Sequence, residues 1–298
     1  MNIEAPSFAK INWTLEILGR RADGYHELRT ILQTVDVCDQ LRFALSEKEI
    51  ALTCDHPDVP CDETNLIHRA AMLLRELTGC DKGAVIDLQK RIPLGAGLGG
   101  GSSNAAVTLL ALAHLWDLDI APHDLFRLGS QLGADVPFFF FGGTGIGIGR
   151  GDEVYPMTDM AADYLLLVNP GVNVPTRQIY GNLSSELTSP PAVNNMPFSL
   201  NAAYARMRGR QWQLRNDLER PACALYPLIG EVKQQLSALN ASAVLMSGSG
   251  ATVFAIFESE AARAQASSTL REIGWWCATT RTLNRSEYQA AISRNFGF

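Results

Sequence analysis

The chain has 298 residues, 47% hydrophobic and 19% charged, with a formal net charge of −6 and a pI near 5.4. That length and apolar content suit two domains with sizeable cores, and the acidic balance excludes the basic face that nonspecific binding to nucleic acid or anionic membrane requires. The six cysteines show neither C-x-x-C pairing nor zinc spacing, and no secretory signal opens the chain, so reduced, packed cysteines in a cytoplasmic protein are expected.

Phe8 to Gly19 places Ile11, Trp13, Leu15 and Ile17 on one face of a strand. Arg20 to Tyr25 reads as a turn signalled by Asp23-Gly24, and Ile31–Val37 and Gln40–Leu45 as further strands. Asn65 to Leu77 carries Leu66, Ala70, Leu73, Leu74 and Leu77 at helical spacing, with Gly79 as the stop. Ala84 to Leu88 predicts a strand that runs into a glycine-rich loop. Asn104–Trp116 and Pro122–Leu132 predict helices, the second with proline at its start and Gly133 past its end. The glycines and aromatics of 138–151 predict strands with tight turns, and Tyr164 to Val168 a buried strand closed by Asn169-Pro170-Gly171. Ser184 to Phe198 reads as an irregular excursion. Beyond it come a helix at Pro227–Leu239, strands at Ala243–Met246 and Thr252–Phe257, a helix over 260–272 and a strand at Trp275–Arg281. A domain boundary is expected at 155–165.

The loop Pro93-Leu94-Gly95-Ala96-Gly97-Leu98-Gly99-Gly100-Gly101-Ser102-Ser103 contains the G-x-G-x-x-G of dinucleotide folds. That fingerprint also needs a second parallel strand ending in an acid. Here Asp117-Leu118-Asp119 leads into another helix instead, and no Gly-Lys-Ser/Thr follows for a Walker loop. The physics that remains is phosphate binding: glycines can turn several N–H groups inward, and the helix opened by Ser102 and Ser103 has a positive end.

Three further groups bear on chemistry. Lys10, between Ala9 and Ile11 in the first strand, is either a snorkelling edge residue or a site cation. Asp135, between a helix stop and Pro137, is by itself more often a turn residue. Met246-Ser247-Gly248-Ser249-Gly250-Ala251 is a simple hairpin turn, or one that closes over phosphates or substrate.

In this order Ala9-Lys10-Ile11-Asn12, Gly19 to His26, Pro93 to Ala106, Leu132 to Pro137 and Ser247 to Gly250 resemble the motifs of the GHMP kinase superfamily over nearly the whole chain. The resemblance implies an α+β, two-domain architecture, with a ribosomal-S5-like N-terminal domain over 1–160 and a ferredoxin-like C-terminal domain over 161–298. It implies an ATP-dependent transfer to an alcohol, with Asp135 as the base and Lys10 as its electrostatic partner. The glycine loop from Pro93 to Ser103 would hold the ATP phosphates, with Asn65 and Lys90 near the nucleotide base. Mg²⁺ would meet Ser103, directly or through a water. The acceptor would be a small molecule, a cytidine diphosphate sugar alcohol, gripped by Asn12, Tyr25, His26, Thr176 and Tyr180. Phe8 stands where the family usually has proline and Tyr180 where phenylalanine is expected, and neither change touches the reacting groups. A monomer or weak homodimer is expected, with no nucleic acid or membrane partner. A kinase for another small alcohol such as homoserine or a mevalonate-like compound, or an inactive ligand-sensing relative, is the alternative.

Overall fold

The computed structural model describes residues 2–183 and 214–294. The excursion expected at Ser184–Phe198 lies outside the described residues. Two long strands, β1 (Asn2–Arg20) and β2 (His26–Ser46), form an antiparallel hairpin. Its turn is pinned by Arg21 N–H donating to the Tyr25 carbonyl at 2.8 Å. The two strands expected at 31–37 and 40–45 are one, because both halves pair with β1 across a register shift at Phe8/Ala9. Beside this hairpin β4 (Gly83–Gln89) pairs with the second half of β2, and β3 (Ile50–Cys54) joins β4 in parallel. The first half of β2 pairs instead with β5 (Thr144–Gly149), which pairs with β6 (Glu153–Pro156).

One face of this sheet is covered by α1 (Leu66–Thr78), α2 (Gly100–Leu115) and α3 (Pro122–Leu132), whose apolar sides meet Phe43, Ile86 and Leu88 in a continuous core. Asn65 caps α1, accepting from Ile67 N–H at 2.9 Å, and Gly79 ends it in the left-handed region at φ 68°. Helix α2 starts at Gly100, four residues before its expected start, with Gly99 as its cap. Phe138 to Phe140, expected to begin the strands of 138–151, belong instead to a 3-10 helix over Val136–Phe140. Pro137 suits the first turn of a helix and lacks the N–H that a strand interior would use.

A two-residue strand, β8 (Arg215–Asn216), runs parallel to β1 at Thr14 and Leu15. The second sheet contains β7 (Leu165–Asn169), β9 (Ala243–Met246), β10 (Val253–Ile256) and β11 (Trp276–Thr280), in the order β11-β7-β10-β9, all antiparallel. Helices α5 (Glu219–Leu225) and α6 (Pro227–Ala238) precede β9, and α7 (Glu260–Glu272) links β10 to β11. This is the split β-α-β-β-α-β arrangement of ferredoxin-like domains. Alternation along its strands separates two cores. Leu166, Val168, Val253 and Ala255 face the helices, whereas Leu167, Leu245, Phe254 and Ile256 face Ala9, Ile11, Trp13 and Ile31 of the first sheet. Trp13 meets Phe254 edge-on at 5.5 Å.

The expected boundary at 160/161 falls between β6 and β7, and the chain recrosses it. Helix α8 (Arg285–Ser293), which periodicity does not reveal, carries a capping box of Asn284 and Glu287. It packs Leu283, Tyr288 and Ile292 into the first core. Among the described residues no helix is long and apolar enough to cross a membrane. The fully buried Tyr288 hydroxyl donates to the Phe139 carbonyl at 2.5 Å. Tyr288→Phe is therefore expected to lower unfolding stability by about 1–2 kcal/mol in a denaturant titration, with the folded-state circular dichroism unchanged.

Candidate active site

Lys10 lies in the middle of β1 with only 3% of its surface exposed. A buried ammonium must be paired, and here Nζ donates to Asn12 Oδ1 at 2.8 Å and stands 3.3 Å from Asp135 Oδ2. The β1–β2 ladder breaks register on both sides of this segment, at Phe8/Ala9 and at Asn12/Thr14. Such bulges re-aim side chains, and Lys10 and Asn12 both line the cleft. Asp135 immediately precedes the 3-10 helix but makes no capping bond to it. Its carboxylate, 34% exposed, is left to face Lys10 and the cleft. The turn-residue reading of Asp135 and the snorkelling reading of Lys10 both give way to this pair.

The cleft, about 570 Å³, is lined on one side by every residue from Pro93 to Ser102. The N–H groups of Gly100, Gly101 and Ser102 precede the first intrahelical bond of α2, which runs from Ser103 N to the Gly99 carbonyl, and so remain available to an anion. The loop is anchored to β1 by Lys10 N–H donating to the Leu98 carbonyl at 2.9 Å. It is also latched to the second sheet. Ser247 Oγ donates to the Gly97 carbonyl at 3.0 Å and Thr252 N–H to the Ala96 carbonyl at 3.2 Å. Gly97 has φ 73°, and a Cβ there would collide with the Ser247 carbonyl. The small-residue turn at 247–250 is thus a brace for the glycine loop, itself held by Asn216, whose Nδ2 donates to the Met246 and Gly248 carbonyls at 2.8 and 2.7 Å.

On the side expected for the nucleotide base, Asn65 and Lys90 line the cleft with their polar ends already committed. The Asn65 amide caps α1 and donates to the Pro60 carbonyl at 2.7 Å. Lys90 Nζ pairs with the fully buried Asp39 at 2.6 Å. The same carboxylate accepts from Arg91 and Ile92 N–H at 2.7 and 2.8 Å, which sets the path of the chain into the loop. Ser103 requires a correction. It is fully buried, hydrogen-bonded to Ser7 at 2.8 Å, and does not line the cleft, because one helical step turns it inward while Ser102 faces out.

On the opposite side, Thr176 and Tyr180 from α4 (Thr176–Gly181) line the cleft, and Thr176 shares a hydrogen bond of 2.8 Å with Ser249. Burial first, and the Asp135 charge second, push the Tyr180 phenol above its ordinary value. His26 and Tyr25, expected to meet the acceptor, do not line the cleft itself. The His26 ring lies 5.2 Å from that of Tyr180, tilted by 31°, and its Nε2 is shielded with no partner among the described residues. Burial, aided by the Arg20 charge, holds the imidazole below its ordinary value and hence neutral near pH 7. Tyr25 is 58% exposed, with the Arg150 guanidinium 5.2 Å from its ring centre. Arg150 itself is oriented by Asp152 at 2.5 Å and lines the cleft.

Sequence reasoning missed Thr30, Asp58, Thr64, Asn104 and Arg150 among the polar lining residues, whereas Ser249 belongs to the turn read either as a simple hairpin or as one that closes over phosphates or substrate. A guanidinium between Gly149 and Gly151 was a readable signal for Arg150, since nothing in a glycine strand end calls for it. Thr30 and Asn104 offer none, being ordinary residues of a strand and a helix.

A cleft between an α+β domain carrying a glycine loop and a split βαβ domain, with a lysine–aspartate pair beside the loop, defines a small-molecule kinase. Residues 65–143 match the GHMP kinases N terminal domain and residues 199–274 the GHMP kinases C terminal domain, and the chain belongs to the GHMP kinase family. It is 42% identical over 277 residues to a 4-diphosphocytidyl-2-C-methyl-D-erythritol kinase of Citrifermentans bemidjiense, a match covering 92% of this chain and 97% of that protein. A crystal structure of 4-(cytidine 5'-diphospho)-2C-methyl-D-erythritol kinase superposes with a TM-score of 0.78 at 36% identity, over 95% of this chain and 100% of that one. The crystal structure of homoserine kinase from Cytophaga hutchinsonii shares the fold, with a TM-score of 0.69 at 20% identity over 96% of each chain.

Because Gly97 combines a left-handed backbone with the Ser247 contact, Gly97→Ala is expected to raise KM for ATP by at least about tenfold, read in a steady-state ADP-release assay. Gly101, whose Cβ would meet only Leu66 at 3.7 Å, tolerates alanine far better in the same assay.

Proposed function

We propose that this protein transfers the γ-phosphoryl group of ATP to the 2-hydroxyl of 4-diphosphocytidyl-2-C-methyl-D-erythritol, a step in the non-mevalonate synthesis of isoprenoid precursors. The observation that carries the reading is the Lys10–Asp135 pair, 3.3 Å apart, on the cleft between the glycine loop and the Tyr180 wall. Asp135 accepts the hydroxyl proton as that oxygen bonds to the γ-phosphorus. The bond from phosphorus to the bridging oxygen breaks, and ADP leaves. Transfer of this kind is governed by positioning and electrostatics, because the charge spreads over the phosphoryl oxygens in a loose transition state. Lys10 keeps Asp135 ionised and close, and offsets the charge on the moving group.

ATP lies along Pro93 to Ser102, with its phosphates on the N–H groups that open α2. Among the described residues no group of three or more His, Cys, Asp or Glu could hold a metal by itself. That sparse donor set fits Mg²⁺, which keeps waters and shares substrate phosphates, and Asp135 and Ser102, which line the cleft, would hold it. When bound, it supplies charge neutralisation on the triphosphate.

The acceptor's cytosine is read from the Tyr180 side. Among the described residues the shielded, neutral Nε2 of His26 has no hydrogen-bond partner, which leaves it free to meet a polar edge of the acceptor. Tyr180 and Tyr25 supply aromatic faces, Asn12 and Thr176 supply polar contacts, and Arg150 places a cation beside the acceptor's diphosphate.

Coupled ADP release with the cytidine diphosphate alcohol, with homoserine and mevalonate as controls, tests the substrate. Turnover confined to the first is expected, and turnover of either control alone overturns the reading. Asp135→Asn is expected to lower kcat by about 10²–10⁴-fold with ATP binding retained by calorimetry. For His26 the sign follows from a lowered pKa. Its contribution to stability is complete above the ordinary value of 6.5 and is lost as pH falls through the lowered folded-state value, and acceptor binding declines through that same lower value. KM for the acceptor is therefore expected to be flat above that value and to rise on acidification, while His26→Ala shows a raised KM without the rise.

A further inference from the structure

Thr30 of β2 is 3% exposed, lines the cleft, and stands between Asn12 and the backbone of β1. The directions of its hydrogen bonds are all determined. An ammonium has only protons to offer, so the Asn12 atom 2.8 Å from Lys10 Nζ is the oxygen Oδ1. The other end of that amide, Nδ2, then donates to Thr30 Oγ1 at 2.7 Å. Thr30 spends its own proton on the Thr14 carbonyl at 2.6 Å, which leaves its lone pairs for Asn12. The break in register between Asn12 and Thr14 builds this arrangement, for it also sets the Thr14 hydroxyl 3.2 Å from Ile31 N–H as acceptor. The chain of bonds runs from the β1 backbone through Thr30 and Asn12 to Lys10, and ends at Asp135.

We propose that Thr30 is a positioning residue for phosphoryl transfer: its hydroxyl fixes the direction of the Asn12 amide and, through it, the aim of Lys10 at Asp135. The inference rests on the roles given to Lys10 and Asp135 above. Without the hydroxyl, Asn12 Nδ2 is a buried donor with no acceptor, and the amide is free to turn over. Turned, it presents N–H to an ammonium that also has only N–H, and Lys10 moves off Asp135. A valine keeps the shape of Thr30 and removes both of its hydrogen-bonding functions. A serine keeps both functions and removes a methyl group.

The test compares Thr30→Val, Thr30→Ser and Thr30→Ala in steady-state kinetics with both substrates varied, and adds Asn12→Ala and the double variant Thr30→Val/Asn12→Ala. Thr30→Val is expected to lower kcat by about 100-fold with KM for ATP unchanged. Thr30→Ser is expected to restore near wild-type kcat, and the double variant to be no slower than Asn12→Ala alone, as for residues acting in one chain. A serine variant as slow as the valine, an unchanged kcat in the valine, or fully additive losses would each overturn the proposal. Should the valine fail to fold by circular dichroism, the alanine-to-serine comparison decides in its place. Asp135→Asn in the same series separates the two levels. If it retains turnover, the reading of the reacting pair falls; if it is inactive while Thr30→Val is fully active, only the role of Thr30 falls.

Discussion

The structure depends on the burial of one ammonium group. Lys10 sits at the centre of the longest hairpin, under the glycine loop, with almost none of its surface exposed. Removing a charge from water costs several kcal/mol unless partners replace the water. Asn12 and Asp135 are those partners, drawn from β1 itself and from the turn after α3. The Lys10 backbone meanwhile binds the Leu98 carbonyl, and a Cβ on Gly99 would lie 3.0 Å from its Cγ. One residue therefore ties the phosphate loop, the carboxylate and the central strand to common coordinates.

The second sheet serves the same site from the other side. Its inner face packs on the β1–β2 hairpin through Trp13 and Phe254, which fixes how close the two sheets come. At that separation the turn at 247–250 reaches the glycine loop and locks it through Ser247 and Thr252. The glycine loop is thus shaped by both domains as well as by the positive φ of its own glycines. Helix α8 returns to the first core and closes the arrangement with Tyr288 against Phe139. That contact buttresses the short helix that follows Asp135.

Much of this was legible in the chain. The amphipathic helices α1, α3 and α7 and the buried strands of the second sheet announce themselves by period and by caps, because local burial dictates both. Residues 138–140 misled, since their aromatic run suits a strand until the preceding Pro137 and the surrounding core are taken together. Helix α2 was read too short, because glycines weaken a helix in isolation and only packing overrides that preference. Helix α8 is nearly neutral in pattern, its place set by three apolar contacts distant in sequence. Of the residues expected at the site, Lys10, Asn12, Asn65, Lys90, the loop to Ser102, Asp135, Thr176 and Tyr180 line the cleft, and Tyr25 and His26 do not. Ser103 was placed on the wrong side, because a one-residue step on a helix turns a side chain by about 100° and the helix start was misjudged.

By itself the sequence determined the inventory: a glycine-rich loop from Pro93 to Ser103, a lysine in the first strand, an aspartate after a helix stop, and the aromatic groups Tyr25 and Tyr180. These follow from residue type and order, which need no coordinates. Only the tertiary structure decided which groups share a hydrogen bond. Lys10 and Asp135 lie 125 positions apart in the chain and 3.3 Å apart in space. Thr30 carries no mark of its own, and the turn at Ser247 stayed open between a plain hairpin and a closure over the loop, because a threonine in a strand or a serine in a turn gains its role only from what folding sets opposite it.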